Sequence, residues 1–261
     1  MLVDVHAHLS FDKFEKDLNE VIDRAKNAGV SFILCSGVDH ESNVKVLELS
    51  KKYPIIKASL GVYPLDAVGL GNYDDVPREN RPMDVDAEIS FIKENKNFII
   101  AIGEVGLDKS PDEPKLKEQE EVFIKTIRLA KEINKPLVVH TRKAEKECLD
   151  ILENENAKNV ILHCFMGNLK LIKRAELLGF SFSIPAIITR LQHFQILVKQ
   201  VSLQNILTET DSPYLSPIKG ERNEPSYIRE TIKVIAKIKN LTEEETEKII
   251  FNNFQKIFLK S

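Results

Sequence analysis

Short apolar runs alternate with amphipathic segments along the whole chain. Eight runs rich in β-branched and other aliphatic residues cover the ranges 2–5, 32–35, 55–60, 98–102, 137–139, 160–162, 180–184 and 206–208. Runs that are apolar at nearly every position are typical of a parallel sheet that is covered on its outer face. The pattern therefore predicts eight parallel strands.

The segments between these runs have helical periodicity. Apolar residues recur at helical spacing over residues 14–25 and again over residues 116–130. Thr242 and Glu245 have the spacing of a capping box, which predicts the start of a last helix with an apolar face. Strands and helices thus alternate from one end of the chain to the other.

Eight strands alternating with helices over 261 residues favour a single-domain α/β fold, the (β/α)8 TIM barrel. An open doubly wound sheet stays the alternative, because the sequence does not show closure. We find no linker, repeat or low-complexity tract, and we expect one barrel domain over residues 1–261. The stretch 66–81, rich in Gly, Asn, Asp and Pro, is expected at the rim as a lid, a partner contact or a solvated loop.

Composition and charge exclude some classes of protein. A formal net charge of −3 argues against a basic protein that coats nucleic acid nonspecifically. The three cysteines, Cys35, Cys148 and Cys164, are odd in number and form no CxxC motif, which favours reduced thiols in a cytoplasmic protein. A strand begins at residue 2 and no apolar stretch approaches 18 residues, so we expect neither a signal peptide nor a membrane span.

Polar residues lie where the predicted strands end. These are His6 and His8, Glu104, His140, His163, and the pair Glu209 and Asp211. In a barrel the carboxyl ends of the strands meet around one cavity, where barrel enzymes have their active sites. The four histidines with Glu104 and Asp211 form a ligand set for two divalent ions, with one carboxylate bridging.

Several neighbouring residues have simpler interpretations. A single histidine at a strand end is more often a hydrogen-bonded core or rim residue than a metal ligand. His40 and His193 lack the strand-end placement, and we expect them to be ordinary surface or rim residues. Asp4 faces the same way as His6 but deeper in the barrel, so we expect a hydrogen-bonded structural acid rather than a ligand. Strand alternation should turn Cys164 away from His163, which predicts that Cys164 fills the core.

The motifs that contain these residues form an ordered set along the chain. They are DVHAHL, GVYP, IGEVGLD, the strand ends P-x-V-x-H and H-C-F, TETDSPY and RNEP. From Val3 to about Phe258 the set resembles the TatD family of metal-dependent deoxyribonucleases, which are (β/α)8 hydrolases of the amidohydrolase superfamily. The resemblance implies one metal held by His6, His8, Glu104 and Asp211, and a second held by Glu104, His140 and His163. It also implies that Glu104 bridges the metals and that Asp211 orients the attacking water.

One residue departs from the family pattern. The family usually reads G-x-H-P where this chain has Gly61-Val62-Tyr63-Pro64, and that histidine lies near the substrate phosphate. Tyr63 keeps a hydrogen-bond donor but cannot carry positive charge near neutral pH, so we expect metal binding to survive and substrate preference to change. Arg142 is either a second phosphate contact or a rim arginine paired with a helix acid. Arg222 and Asn223 either hold the active-site loop, which we favour, or contact the substrate.

The expected function is metal-assisted hydrolysis of a phosphodiester, most simply by an exonuclease-type deoxyribonuclease with DNA as its substrate. Asp211 would take the proton of a water held between two divalent ions, and the resulting hydroxide would attack phosphorus. The ligand types do not choose among Mg, Mn, Zn and Ni. We expect a monomer or weak oligomer.

Two other functions stay open on the sequence alone. The first is a metal-dependent deacylase or amidohydrolase, such as a D-aminoacyl-tRNA deacylase, which Tyr63 keeps open; RNA or aminoacyl-tRNA would then replace DNA as the partner. The second is a metal-stabilised scaffold without turnover. The intact set of six ligands counts against the scaffold, because an idle metal site needs no carboxylate to activate water.

Overall fold

All eight predicted strands are present in the computed structural model, which describes residues 1–71, 83–111 and 114–259. They form one parallel sheet in chain order. Their bounds are β1 (Leu2–Ala7), β2 (Val30–Ser36), β3 (Ile56–Leu60), β4 (Ile99–Gly106), β5 (Leu137–His140), β6 (Val160–His163), β7 (Ser181–Pro185) and β8 (Ile206–Glu209).

The two ends of the sheet meet where β8 returns to β1. The backbone N–H of Asp211 donates to the carbonyl of His6 at 2.9 Å, and the N–H of His8 donates to the carbonyl of Ser212 at 2.8 Å. Ala7 and Ser212 form a parallel bridge between the same segments. The sheet is therefore a closed (β/α)8 barrel, and the open doubly wound alternative is wrong.

Helices cover the outside of the barrel. They are α1 (Leu18–Asn27), α2 (His40–Lys52), α3 (Pro64–Ala67), α4 (Val85–Glu94), α5 (Leu116–Glu132), α6 (Glu145–Asn154), α7 (Leu169–Leu177), α8 (Gln192–Gln200), α9 (Ile228–Lys239) and α10 (Glu243–Phe258). The predicted capping box is confirmed, because Glu245 N donates to Thr242 Oγ1 and Thr242 N donates to the Glu245 carboxylate. Over the described part of the chain, no helix combines the length and apolarity needed to cross a membrane.

Asp4 links β1 to the segment after β8 inside the barrel. Its carboxylate is 1% exposed and accepts hydrogen bonds from Thr210 N at 2.9 Å, Thr210 Oγ1 at 2.6 Å and His6 N at 3.3 Å. Burial raises the pKa of Asp4 to about 8, although the bonds from Thr210 oppose this rise. Asp4 is thus the hydrogen-bonded structural acid that the sequence predicts.

The rim stretch 66–81 is described only as far as Gly71. Its first residues complete α3, where Asp66 and Ala67 are buried. Residues 72–81, which make up most of the predicted lid, partner contact or solvated loop, lie outside the described residues.

Candidate metal centre

Glu104 lies at the centre of the histidine cluster, and each of its two oxygens faces a different pair of rings. Oε2 is 3.4 Å from Nε2 of His6 and 3.3 Å from Nε2 of His8. Oε1 is 2.7 Å from Nδ1 of His140 and 3.1 Å from Nε2 of His163. Strands β1, β4, β5 and β6 thus bring residues far apart in sequence to one buried carboxylate.

Asp211 adds a second carboxylate on the side of His6 and His8. Its Oδ1 is 3.6 Å from Nε2 of His6 and 3.5 Å from Nε2 of His8. The residue follows the end of β8 in the left-handed region, with φ of 56°, and its side chain is 14% exposed toward the cavity. Asp211 therefore completes one group of ligands and is also reachable from solvent.

The donor atoms fit divalent cations. The Nε2 atoms of His6 and His8 are 3.1 Å apart, and Nδ1 of His140 is 3.4 Å from Nε2 of His163. Two imidazole nitrogens that face each other can share only one proton, so hydrogen bonds among the rings do not satisfy the cluster. A cation accepts lone pairs from nitrogen and carboxylate oxygen alike, which is the chemistry that this set of donors provides.

The two carboxylates are ionised at neutral pH. Burial raises the pKa of Glu104, but the charges of His163 and His6 and the hydrogen bond from His140 outweigh it and hold the pKa well below the usual value. Burial likewise opposes ionisation of Asp211, and the hydrogen bond from His8 and the nearby imidazoles keep its pKa lowered. Both groups are therefore in the anionic form that a metal ligand requires.

One neutral residue supports the outer nitrogens of His6 and His8. Nδ1 of His8 is 3.1 Å from the carbonyl oxygen of Ser36, and Nδ1 of His6 is 3.2 Å from the hydroxyl of the same residue. A carbonyl only accepts, so Nδ1 of His8 carries a proton, and in the neutral ring that a metal requires the lone pair is on Nε2. Sequence reasoning missed Ser36, which stands at the end of β2 with no motif around it.

Two buried carboxylates lie behind the other pair of histidines, one within hydrogen-bond distance of its ring and one at ion-pair distance. Nε2 of His140 is 3.1 Å from Oδ2 of Asp108, and Nδ1 of His163 is 3.5 Å from Oε2 of Glu209. Neither carboxylate is exposed. Sequence reasoning noted Glu209 as a strand end without giving it a role, and it missed Asp108, although Asp108 closes the IGEVGLD motif.

The cluster opens into a cavity of 780 Å³. The wall combines ligands with apolar and basic side chains: His8, Phe11, Val38, Tyr63, Glu104, His140, Thr141, Arg142, Lys143, Glu145, His163, Cys164, Met166, Leu191, Phe194, Asp211, Tyr214 and Leu215. The space is large enough for a mononucleotide-sized group beside the ligands.

Cys164 contradicts its prediction, because it lines this cavity and is only partly buried. Strand β6 ends at His163, and Cys164 has a left-handed φ of 43°, so strand alternation no longer fixes the direction of its side chain. Its N–H donates to Oε1 of Glu209 at 2.9 Å. The prediction failed because it extended the strand by one residue.

Tyr63 and Arg142 both line the cavity. The hydroxyl of Tyr63 donates to Oδ2 of Asp108 at 3.0 Å, and its ring meets His140 edge to face, with 5.1 Å between centroids. Arg142 is half-exposed, and its Nη1 lies 3.9 Å from the same Asp108 oxygen. Among the described residues, the acid paired with Arg142 is therefore in the loop after β4 and not on a helix.

The remaining sequence predictions near the site hold. His40 is exposed on the surface and binds Glu88, and His193 is a half-buried rim residue that binds the carbonyl of Phe165. Arg222 pairs with Asp17 through both of its terminal nitrogens, which joins the β8 loop to the β1 loop. Asn223 donates to the carbonyl of Thr210 at 2.7 Å, as expected of a residue that holds the loop.

Comparisons with known proteins show the family and the fold of this chain. The family model described as TatD related DNase matches residues 3–259. An uncharacterized metal-dependent hydrolase of Methanocaldococcus jannaschii is 38% identical over 256 residues, which are 98% of this chain and 96% of that protein. A deoxyribonuclease of Homo sapiens, TATDN3, is 37% identical over 268 residues, which are 99% of this chain and 95% of that protein. Among solved structures, the Escherichia coli TatD homologue YJJV superposes with a TM-score of 0.87 at 23% identity, covering 100% of this chain and 98% of that one, and this likeness concerns the fold.

Proposed function

This chain belongs to the TatD-related DNase family of metal-dependent hydrolases, and from that membership we propose that it is a deoxyribonuclease with a dinuclear metal centre. The observation that carries the proposal is the placement of Glu104, whose two oxygens each face a different pair of histidines, while the rings of His6 and His163 stack 4.0 Å apart between the pairs. A carboxylate in this position is the usual bridge between two metals. We name His6, His8 and Asp211 the first half of the centre, and His140 and His163 the second half.

The residues divide the chemistry between them. Bound divalent ions would acidify the attacking water and neutralise charge on the phosphoryl oxygens. Asp211, ionised and open to the cavity, accepts the proton that this water releases. Arg142 reaches the cavity with a half-exposed guanidinium, which suits a bidentate contact with a substrate phosphate.

Attack occurs at a phosphodiester of DNA, by analogy with the human relative named a deoxyribonuclease. The exonuclease type is the narrower part of the proposal. Phe11, Tyr214 and Leu215 form an apolar side of the cavity, opposite in character to Arg142 and Lys143. Such a cavity suits an unpaired terminal nucleotide. The apolar side chains would contact the faces of its base, and the basic side chains would contact its anionic phosphate.

A nuclease assay on matched substrates tests both parts. Purified protein is incubated with Mg, Mn, Zn or Ni and with end-labelled linear or circular single-stranded DNA of one sequence. We expect stepwise shortening of the linear strand, an intact circle, and loss of cleavage on addition of a chelator. Cleavage of the circle would contradict the exonuclease type.

Matched variants tie the activity to the centre. His140→Ala removes a ligand of the second half and should abolish cleavage, whereas His40→Ala removes an exposed histidine of the surface and should leave the rate unchanged. Release of the amino acid from D-aminoacyl-tRNA without strand cleavage would replace the nuclease with a deacylase. Inactivity on both substrates with metal bound would leave a scaffold.

A further inference from the structure

Asp108 is a buried carboxylate behind His140, directly after β4. Its Oδ2 accepts from Nε2 of His140 at 3.1 Å and from the hydroxyl of Tyr63 at 3.0 Å, and its Oδ1 accepts from Ser110 N at 2.8 Å. An ionised carboxylate only accepts, so Nε2 of His140 carries the proton. Nδ1, which lies 2.7 Å from Glu104, donates to that carboxylate while the ring is protonated, and a metal would replace this proton in the neutral ring.

The main chain of Asp108 is held as firmly as its side chain. Its N–H donates to Oε1 of Gln119 at 2.8 Å, and Nε2 of Gln119 donates back to the carbonyl of Asp108 at 2.9 Å. Gln119 is fully buried in α5. Because both its main chain and its carboxylate are fixed, Asp108 can hold a neighbouring ring in one orientation.

Tyr63 donates the proton of its hydroxyl to this same carboxylate. A phosphate oxygen also only accepts, and one hydroxyl proton cannot serve both acceptors at once. The ring of Tyr63 also packs edge to face against His140. Both contacts indicate that Tyr63 supports His140, one through Asp108 and one by packing against the ring.

We infer that Asp108 is a positioning residue that fixes the tautomer and orientation of His140, and that Tyr63 acts through Asp108 rather than by binding the substrate phosphate. The inference rests on the proposed function for the role of His140 as a metal ligand. The inference also assigns a role to Tyr63, which stands where the family usually has a histidine.

Metal titration of the Asp108→Asn variant is the first test. Calorimetry with Mn²⁺ in the absence of nucleic acid should show about 10–100-fold weaker binding for one class of site and unchanged binding for the other. Glu88→Gln is the matched control, because it also neutralises a buried carboxylate, one that binds Asn43 and His40 on the outside of the barrel. Equal affinity of Asp108→Asn and the unchanged protein at both classes of site would overturn the inference.

A double-mutant cycle tests the role of Tyr63. Tyr63→Phe removes one hydroxyl and should weaken metal binding at the same class of site, with a rate that recovers in excess Mn²⁺. The double variant should bind metal within about twofold of Asp108→Asn alone, because both changes interrupt the same contact. A raised KM for DNA with unchanged metal affinity, or effects that multiply in the double variant, would place Tyr63 on the substrate.

Two features keep the test decisive. Metal titration involves no DNA, so it tests the role of Asp108 at the metal ligand His140 separately from cleavage. A failed nuclease assay would refute the proposed deoxyribonuclease activity and leave this test valid. If Asp108→Asn fails to fold, the Nε2–H proton resonance of His140 replaces it as the readout. That resonance should shift in Tyr63→Phe, and an unchanged resonance would count against the inference.

Discussion

The two halves of the proposed metal centre face the same carboxylate, but different kinds of residue support their histidines. Behind His6 and His8 stands a single neutral residue, Ser36, which offers its hydroxyl to one ring and its carbonyl to the other. Behind the rings of the second half stand two buried carboxylates, Asp108 and Glu209. The histidines are the same ligand type, so the difference lies in the groups that orient and polarise them.

This difference shows where each half places its negative charge. The first half has Asp211 in direct reach of the ligand atoms, whereas the second half places its additional carboxylates one layer further out. A carboxylate behind a histidine makes the ring a better electron donor and fixes its tautomer. The second half should thus depend on residues outside the cavity, and the first half on Asp211, to which the proposed function also assigns proton transfer.

Glu104→Gln should give the largest effect, because Glu104 is what the halves share. The amide keeps the shape of the side chain but removes the charge between the two pairs of rings. We expect metal binding to weaken in both halves and the rate to fall at least about 10²–10³-fold, the loss typical of one preorganised electrostatic group. Metal content by elemental analysis and the rate on single-stranded DNA check this.

Glu104→Asp is the informative companion to that variant. It keeps the charge and shortens the side chain, so it should bind metal better than Glu104→Gln while still losing activity. If Glu104→Gln lost metal from one half only, Glu104 would not be a bridge, and the two halves would be independent sites.

A paired substitution behind the rings should give an intermediate effect. Glu209→Gln removes the charge behind His163 and should weaken metal binding in the second half about 10–100-fold. Ser36→Ala removes only the hydroxyl from His6 and leaves the carbonyl on His8, so it should cost about fivefold or less, as a neutral hydrogen bond contributes about 1 kcal/mol. Calorimetric titration of both variants with one metal compares their metal affinities. Equal losses of affinity would show that the carboxylate behind His163 matters no more than the hydroxyl beside His6.

The same contrast explains how far the sequence could predict the site. Apolar runs determine where strands end, so the ligand positions followed from the pattern: His6, His8, Glu104, His140 and His163 all lie at such ends. Barrel closure then places them around one cavity. Their distances to one another required the structure, because they depend on register and side-chain rotamers.

The supporting residues could not be predicted in this way. Ser36 reaches two rings only because β2 lies beside β1 in one register, and no local pattern records that pairing. Asp108 lies beyond the end of β4, where strand periodicity no longer gives direction. Cys164 was misplaced for this reason, because the chain turns into the left-handed region directly after His163.

The smallest effect should come from the ion pairs that hold the loops of the first half. Asp17, in the loop after β1, binds Arg222, and Arg24 of α1 binds Glu224. The loop that carries Asp211 is thus joined both to the loop after β1 and to α1. The hydrogen bond from Arg222 lowers the pKa of Asp17. Burial raises the pKa of Glu224, but the bond from Arg24 and its charge outweigh it and the pKa is lowered.

A lowered carboxyl pKa contributes stability above the group's ordinary value and loses it as the pH falls through the folded-state value. These pairs should therefore stabilise the protein fully above the ordinary values of 3.8 and 4.5, and progressively less at lower pH. Since the side chains are partly exposed, we expect Glu224→Gln to cost about 1 kcal/mol or less at pH 7. Urea unfolding of both proteins at pH 7 and near pH 3.5 measures this cost, which should shrink on acidification. If Glu224→Gln lost the same unfolding free energy at both pH values, hydrogen bonds and packing would hold this loop. The charge of Glu224 would then contribute no stability to the loop that carries Asp211.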